Sequence, residues 1–177
     1  TKVRWSSDNT DVVKVNWKGE LTAVSNGTAI ITGYVESIDK TLTCNVTVQT
    51  SVTEITLNET EATVDLSSEQ EADKQVELIA TIVPSTANVG TNLTWTTSDE
   101  TVASISNETG TTTTVTGLKN GTATITVESE NGTKAEFNIT VQTSVTGITL
   151  NKTEEIVDLS SEQEADKQVE LIATIVP

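Results

Sequence analysis

The sequence predicts an all-β fold built from tandem two-sheet sandwich modules, and three observations support this prediction. The core must be aliphatic, because 34% of the 177 residues are hydrophobic and only 3% are aromatic. The chain contains 36 Thr and only 2 Pro, a composition that favours pleated strands. Long parts of the sequence also recur at a fixed spacing, which indicates a tandem array.

Apolar residues that alternate with polar ones mark the strands of residues 51–143. The alternating runs are Val76, Leu78, Ala80 and Ile82; Ala123, Ile125 and Val127; and Ala135, Phe137, Ile139 and Val141. Turn signals separate the strands, at Pro84–Gly90, Asn107–Gly110, Lys119–Gly121 and Glu130–Gly132. This pattern predicts about seven short strands, as in a sandwich of two sheets.

The repeat divides the chain into one complete module and two halves. Residues 51–84 and 144–177 align at an offset of 93 with four differences, Glu54/Gly147, Glu59/Lys152, Ala62/Glu155 and Thr63/Ile156. Residues 1–50 follow the later part of the same plan, since VRWSSDNTDVVKV resembles LTWTTSDETVASI and CNVTVQT resembles FNITVQT. The sequence therefore predicts the C-terminal half of a module at 1–50, a complete module at 51–143 and the N-terminal half of a further module at 144–177.

Two interpretations of the half-modules remain open. In the first, residues 1–177 are a window of a longer array. In the second, the halves complete each other between copies, because Thr1 aligns with Thr91 and Pro177 aligns with Pro84. The last residues of one copy would then supply the missing front strands of the next, and a head-to-tail filament would grow.

The charge of the chain argues against two classes of partner. A formal net charge of −16, from 26 acidic and 10 basic residues, repels nucleic acids and anionic membranes, which are bound chiefly through cationic side chains. No stretch has the length and hydrophobicity of a signal peptide or a membrane span. We therefore expect neither a nucleic acid partner nor membrane contact within these residues.

Three Trp residues and one Cys bear on the predicted core. Trp95 and its counterpart Trp5 are expected to be buried, whereas Trp17 has no counterpart and is expected to be exposed. Cys44 aligns with Phe137 at an inward-facing position, so we interpret it as a small buried hydrophobe rather than a nucleophile. A single Cys also excludes a disulfide within the chain.

Several segments together resemble one known domain family. The segments are VTGITLN, the strand ending in IVP, LTWTTSDETVASI, GLKNGTATITV and the closing FNITV. They resemble the group 2 bacterial immunoglobulin-like domain over essentially the whole chain. The resemblance implies tandem immunoglobulin-like β-sandwich modules, as found along bacterial surface proteins, including adhesins of the intimin and invasin type, and in phage virion proteins. It also implies an extracellular location at a cell surface.

The acidic segment LSSEQEADKQ departs from the family pattern, which has a short Gly-containing turn there. Asp65, Glu69, Glu71 and Asp73 could offer oxygen ligands to Ca²⁺, as could their copies Asp158, Glu162, Glu164 and Asp166. The spacing matches no known Ca²⁺ loop, and a solvated loop that protects a sheet edge explains the same residues. We therefore favour the solvated loop and expect no cofactor, with Ca²⁺ as the only candidate ion.

Asn-x-Thr triplets, the acceptor motif for N-linked glycans, are unusually frequent. Strand alternation accounts for part of this excess, because it places polar residues two apart on one exposed face. Whether a host modifies them does not follow from the motif. The candidate positions are Asn26, Asn45, Asn58, Asn92, Asn107, Asn120, Asn131, Asn138 and Asn151.

The sequence offers no catalytic chemistry. It contains no His, no Gly-rich phosphate loop and no Cys/His metal-ligand spacing. We therefore expect a non-enzymatic function and predict no catalytic residue. The junctions VQTSVTEITLN and VQTSVTGITLN lack proline and flexible Gly/Ser tracts, so we expect consecutive modules to be joined almost strand to strand.

Three functions fit this architecture. The first is a structural repeat of an extracellular stalk or filament, whose partners are neighbouring modules or copies of itself. The second is an adhesin module that binds a host surface protein or glycan, for which Trp17 and Tyr34 are the available exposed aromatics. The third is a phage virion appendage.

Overall fold

The computed structural model describes residues 2–157, 160, 162–163 and 168–176. Within them the regular structure is β-strand apart from two short 3₁₀ helices, Glu36–Ile38 and Glu71–Lys74. The predicted all-β fold class is confirmed. The chain divides into three parts, the first segment (residues 2–50), the middle segment (51–143) and the last segment (144–176).

The first segment has five strands in two small sheets. They are β1 (Val3–Ser7), β2 (Val13–Val15), β3 (Leu21–Ala23), β4 (Gly27–Val35) and β5 (Lys40–Val48). Strand β4 lies between β1 and β5 and is antiparallel to both, whereas β2 pairs only with β3. The buried apolar cluster of the first segment is small and consists of Val12, Val13, Ala29 and Ile31.

The middle segment is a complete two-sheet sandwich. Its strands are β6 (Glu54–Leu57), β7 (Glu61–Asp65), β8 (Gln75–Val83), β9 (Leu93–Thr97), β10 (Ala103–Ile105), β11 (Thr112–Gly117), β12 (Gly121–Ser129) and β13 (Lys134–Gln142). One sheet has the order β10-β11-β8-β6 and the other has the order β7-β13-β12-β9. The immunoglobulin-like sandwich expected from the sequence is thus observed.

The inward faces of these sheets form one core. The alternation predicted for β8, β12 and β13 is observed, with Leu78, Ile125, Phe137 and Ile139 fully buried. Trp95 on β9 is also buried, and its indole N–H donates to the Gly110 carbonyl at 2.8 Å, so its polar atom is satisfied. Burial of large aliphatic and aromatic side chains is the main source of stability in such a sandwich.

The middle segment has eight strands, close to the about seven that the sequence predicts, and β7 is the one with a parallel partner. It pairs in parallel with β13, an arrangement that hydrophobic alternation alone does not reveal. The acidic segment follows it and leads to β8 through the second 3₁₀ helix. Glu69, Glu71 and Asp73 are exposed, as expected for a solvated loop.

The last segment contains β14 (Gly147–Leu150) and β15 (Ala173–Val176), which form an antiparallel pair. Gly147 pairs with Val176, as Glu54 pairs with Val83 in the middle segment. The same apolar positions differ in burial, however, because Ile148 is 69% exposed and its counterpart Ile55 is only 5% exposed.

Two predictions of burial in the first segment are wrong. Trp5 is 40% exposed, whereas Trp95 is 1% exposed, and Cys44 is exposed, whereas its counterpart Phe137 is fully buried. Both side chains are exposed because no opposing sheet of described residues covers them. The described residues of the first segment include no counterpart of β6, β7 or β8. The predictions that Trp95 is buried and that Trp17 is exposed are confirmed.

Candidate functional site

The linker between β5 and β6 is held by the middle segment. The Thr50 N–H donates to Asn88 Oδ1 at 2.9 Å, and the Thr50 carbonyl accepts from the Asn88 N–H at 2.8 Å. Asn88 belongs to the turn that the sequence predicts at Pro84–Gly90. Further along the linker, the Val52 N–H donates to the Val89 carbonyl at 3.2 Å. The linker therefore has defined partners rather than free backbone.

A turn of the first segment reaches across this junction. Asn26, in the β3–β4 turn, donates through Nδ2 to the Thr86 carbonyl at 2.6 Å and accepts at Oδ1 from Thr50 Oγ1 at 2.7 Å. One side-chain amide thus bridges the first segment, the linker and the Pro84–Gly90 turn of the middle segment. We call these contacts the first junction clamp, formed by Asn26, Thr50, Thr86 and Asn88.

The junction between the middle and last segments repeats part of this arrangement. Thr143 Oγ1 donates to Asn120 Oδ1 at 2.8 Å, matching the bond between Thr50 and Asn26. The Ser144 N–H donates to Asp65 Oδ1 at 3.1 Å, which adds a contact with the end of β7. The pairing of Asn with Thr is therefore a recurring feature of the junctions and not an accident of one loop.

Local sequence explains why each Asn lies at the junction. Asn26 and Asn120 are each followed by a Gly with positive φ, +147° at Gly27 and +155° at Gly121. A Cβ at Gly27 would lie 2.9 Å from Val12 Cγ2. Only Gly tolerates both this φ and this close approach, so the Asn-Gly pair fixes the turn and places the Asn amide. The sequence signal was present, but it indicated only a turn.

Asp65, a candidate Ca²⁺ ligand by sequence, has other partners in the structure. Its Oδ1 also accepts from Ser67 N at 2.9 Å and from Ser67 Oγ at 2.6 Å. Hydrogen bonds from Ser144 and Ser67 hold the pKa of the Asp65 carboxyl well below its usual range. Asp65 is thus an ionised acceptor that ties the end of β7 to the second junction.

The other Ca²⁺ candidates are dispersed along the acidic segment. Asp73 Oδ2 accepts from Ser68 Oγ at 2.6 Å, and Glu71 forms an exposed ion pair with Lys74 at 2.8 Å. Across the part of the chain that the structure describes, no three His, Cys, Asp or Glu side chains are grouped to hold a metal ion. Of the copied positions, Glu162 is exposed, whereas Asp158, Glu164 and Asp166 lie outside the described residues.

Many of the candidate glycosylation positions have structural roles. Asn58 and Asn151 play the same part in two segments, since each Oδ1 accepts from a backbone N–H, that of Ile79 and that of Ile172, respectively. Side-chain amides also form hydrogen bonds at Asn26, Asn92, Asn120, Asn131 and Asn138. Asn45 and Asn107 are exposed to solvent.

The two aromatic residues proposed as binding markers differ. Trp17 is 80% exposed on the turn between β2 and β3. Tyr34 is half-buried, and its hydroxyl donates to Asp39 Oδ1 at 3.1 Å. Trp17 is therefore the more accessible ring.

None of the helices in the described residues has the length and hydrophobicity needed to cross a membrane.

Comparison with known proteins places these observations in a family. A family model described as the bacterial Ig-like domain (group 2) matches residues 1–46 and 51–141. A partial relative is an alpha-L-arabinofuranosidase from Bifidobacterium longum subsp. longum, which is 48% identical over 67 residues. That match covers 37% of this chain and 6% of the enzyme, so the catalytic activity named for the relative is not transferred.

Three solved structures are also similar. Domains 1–6 of the surface layer protein SbsC match with a TM-score of 0.45 at 23% identity, over 85% of this chain and 21% of that one. An intimin fragment in complex with the intimin-binding domain of its translocated receptor scores 0.39 at 16% identity, over 88% and 56%. The Yersinia pseudotuberculosis adhesin InvE scores 0.39 at 15% identity, over 84% and 56%.

At these scores the structural likenesses carry no argument about function, and this chain spans only part of each relative. The family match is different, because it extends over most of the chain and agrees with the sandwich described above. The chain belongs to the group 2 bacterial immunoglobulin-like domain family.

Proposed function

We propose that the chain is a non-catalytic structural repeat of an extracellular stalk at a cell surface, in which immunoglobulin-like modules are joined stiffly end to end. The first junction clamp is the observation that carries this proposal. It joins two segments and their linker through side chains that lie at a fixed place in the repeat.

The physical argument concerns bending. Domains joined by free linkers reorient by default, and stiffness requires contacts that bending must break. Bending at the first junction separates Asn26 from Thr86 or Thr50 from Asn88. Each such hydrogen bond contributes on the order of 1 kcal/mol, so together they favour one orientation over a broad ensemble.

Composition and family support the proposed location. The net charge of −16 keeps long arrays soluble and mutually repelling. The aliphatic core, with 1 Cys and no His in the chain, supplies stability without chemistry. Family members lie in tandem along bacterial surface proteins, which fits a stalk better than an enzyme.

A distance measurement between the segments tests this function. In a Cys44→Ser background, nitroxide spin labels at Thr22→Cys and Glu136→Cys report the separation of the first and middle segments by pulsed electron resonance. We expect a narrow distance distribution for the parent and a broader one for Asn26→Ala. Asn45→Ala, on the exposed face of β5, is the matched control and should leave the distribution narrow.

The result that contradicts the stalk is a broad distribution in the parent, or the same distribution for Asn26→Ala and Asn45→Ala. Circular dichroism and melting of each variant establish that the sandwich itself is intact. Loss of folding would be visible there and would not be mistaken for a flexible junction.

A second candidate function is assembly by completion of half-modules. It is favoured by apolar residues of the first and last segments that are exposed at repeat positions facing the core in the middle segment. Leu42 in the first segment and Ile148 and Ile175 in the last segment are each more than 60% exposed. In the middle segment the two sheets pack face to face, so the corresponding side chains are covered. A front half with this repeat sequence would cover the first segment, whether adjacent sequence of the same chain or a second copy supplies it.

Sedimentation velocity of the 177-residue polypeptide tests completion between copies. Growth into regular head-to-tail chains with rising concentration supports it. A monomer at all concentrations contradicts it, while leaving the stalk proposal unaffected.

A further inference from the structure

A groove lies on the first segment beside β1 and the turn between β2 and β3. It has a volume of about 650 Å³, and Trp5, Trp17, Lys2, Arg4 and Lys18 contribute most of its chemistry. Aromatic rings and cations thus meet at one place in a chain whose net charge is −16. The groove contains no residue of the junction clamp, and its distinctive residues, Trp17 and Lys18, lie on the turn between β2 and β3.

The turn that carries Trp17 is built rigidly. The Asn16 side chain accepts at Oδ1 from Lys18 N at 2.9 Å and from Glu20 N at 3.1 Å. Backbone bonds between Asn16 and Glu20 and between Gly19 and Asn16 close the same turn, and Gly19 has a φ of +89°. Ordering this loop on binding therefore costs little entropy, because it is already ordered.

The second ring, Trp5, lies close against two glycines. A Cβ added at Gly19 would lie 2.9 Å from Trp5 Cε2, and one added at Gly33 would lie 2.8 Å from Trp5 Cζ3. The indole therefore lies close against both backbones. Trp17, which is 80% exposed, presents its ring to the solvent beside the groove, and Trp5 lies behind it as the counterpart of the core residue Trp95.

Three cations surround these rings. The Lys18 ammonium lies 5.4 Å from the centroid of the Trp17 ring, within the range of a cation–π contact. Arg4 pairs with Glu36 at 2.8 Å, but both side chains are about 70% exposed, so water screens this pair. Lys2 completes the cationic side of the groove.

The corresponding groove of the middle segment provides an internal comparison. It overlaps that place, since Thr94, Trp95 and Ile105 stand where Arg4, Trp5 and Val15 do. It has a volume of about 580 Å³, and Glu100 and Glu108 line it together with Thr side chains. Its Trp95 is buried. The repeat therefore supplies the groove, and substitutions in the first segment alone make it aromatic and basic.

We propose that the groove of the first segment binds an acidic polysaccharide, with a sugar ring stacked on Trp17 and an anionic substituent beside Lys18 and Lys2. The apolar C–H face of a pyranose complements the electron-rich face of an indole, and its carboxylate complements an ammonium group. This function goes beyond the stalk and does not depend on it.

The surrounding charge selects the kind of polyanion. Nucleic acid carries a dense row of phosphates, and the acidic excess of residues 51–177 opposes it along its length. Duplex nucleic acid carries one phosphate per about 1.7 Å of its axis, whereas a uronic acid polymer carries one carboxylate per sugar ring, so it meets less repulsion and can stack a pyranose face on Trp17. The occupant favoured by both features is therefore a uronic acid polymer.

Titration of the whole chain with defined oligosaccharides tests the proposal. The probes are a galacturonic acid hexasaccharide, a neutral galactose hexasaccharide of the same length and a single-stranded thymidine oligonucleotide, followed by calorimetry. We expect saturable binding of the acidic sugar alone, weakened by salt. Trp17→Ala and Lys18→Glu should each reduce affinity by about tenfold or more.

Lys14→Glu is the matched control, because Lys14 is exposed on β2 and makes the same change of charge away from the groove lining. It should leave affinity within about twofold, the size of a non-specific charge effect. The proposal is overturned if the acidic sugar fails to bind, if the neutral sugar or the oligonucleotide binds as tightly, or if Trp17→Ala binds like the parent. Unchanged melting temperatures establish that these exposed substitutions leave the fold intact.

Discussion

The first and middle segments share a plan from β1 and β9 onward, yet they bury equivalent positions differently. Phe137 is fully buried and its counterpart Cys44 is exposed, while Trp95 is 1% exposed and Trp5 is 40% exposed. Antiparallel pairing is the same in both, with β4 between β1 and β5 as β12 is between β9 and β13. The comparison teaches that a sheet forms from its own pairing, whereas a core requires the sheet opposite.

The largest expected difference between the two segments is the effect of removing an equivalent side chain. Phe137→Ala should lower the free energy of unfolding by about 3–5 kcal/mol, because it leaves a cavity in a closed core. Cys44→Ala should change it by no more than about 0.5 kcal/mol, since the thiol faces solvent. Urea denaturation, monitored by circular dichroism, measures the free energy of unfolding of both variants. Equal losses would show that the two positions are equally buried in solution.

Two glycines provide a second matched pair. A Cβ at Gly117 would lie 2.6 Å from Val64 Cγ2 inside the closed core, so Gly117→Ala should destabilise the chain by about 1–3 kcal/mol. A Cβ at Gly33 would meet the half-exposed Trp5 ring, which can shift toward solvent, so Gly33→Ala should cost less than about 1 kcal/mol. The same denaturation measurement ranks them, and the reverse order would contradict the comparison.

Completing the first segment should make it resemble the middle one. Fusing a copy of residues 51–90 ahead of Thr1 restores the missing front strands, since Thr1 aligns with Thr91. We expect the reaction of Cys44 with a thiol reagent to slow by about tenfold or more, as burial makes access depend on local opening. A fusion of the same length with polar Gly/Ser sequence is the control, and equal rates for both would argue against completion.

The smallest expected effect concerns pH at the second junction. Hydrogen bonds from Ser144 and Ser67 lower the pKa of Asp65 in the folded chain, so the stabilisation is present above the pKa of the unfolded chain, about 4. It is lost progressively as pH falls toward the folded value. Asp65→Asn should therefore flatten the loss of stability between pH 7 and pH 3 without abolishing it.

Residual pH dependence in that variant is expected from other carboxyls. Hydrogen bonds donated by Thr101 lower the pKa of Asp99, and Lys152 lowers the pKa of Glu155. An unchanged profile for Asp65→Asn, measured by urea midpoints across this pH range, would exclude a stabilising role for the Asp65 carboxylate.

Much of the fold was predictable from the chain because periodicity and turn chemistry are local. Alternation in β8, β12 and β13 identified the inward faces, and the Asn-Gly pairs located the tight turns. The parallel pairing of β7 with β13 was not predicted, because alternation shows that a strand has one buried face but not which distant strand it pairs with.

The candidate sites were less predictable. Asp65 was identified as a carboxylate in an acidic run, but its partner Ser144 is 79 residues away in the sequence. Asn26 was identified only as a glycosylation motif, although its amide connects the first segment, the linker and the middle segment. Both roles depend on which segments meet at a junction, and sequence patterns do not record that.

The sequence by itself determined the strand-rich modular fold, the repeat and the acidic charge, because composition and spacing are properties of the chain. Tertiary structure alone decided whether equivalent residues are buried or exposed. Trp5 and Trp95 occupy the same position in the repeat, but only Trp95 has an opposing sheet of described residues against which to pack. Burial is a relation between elements, so identical local sequence cannot fix it.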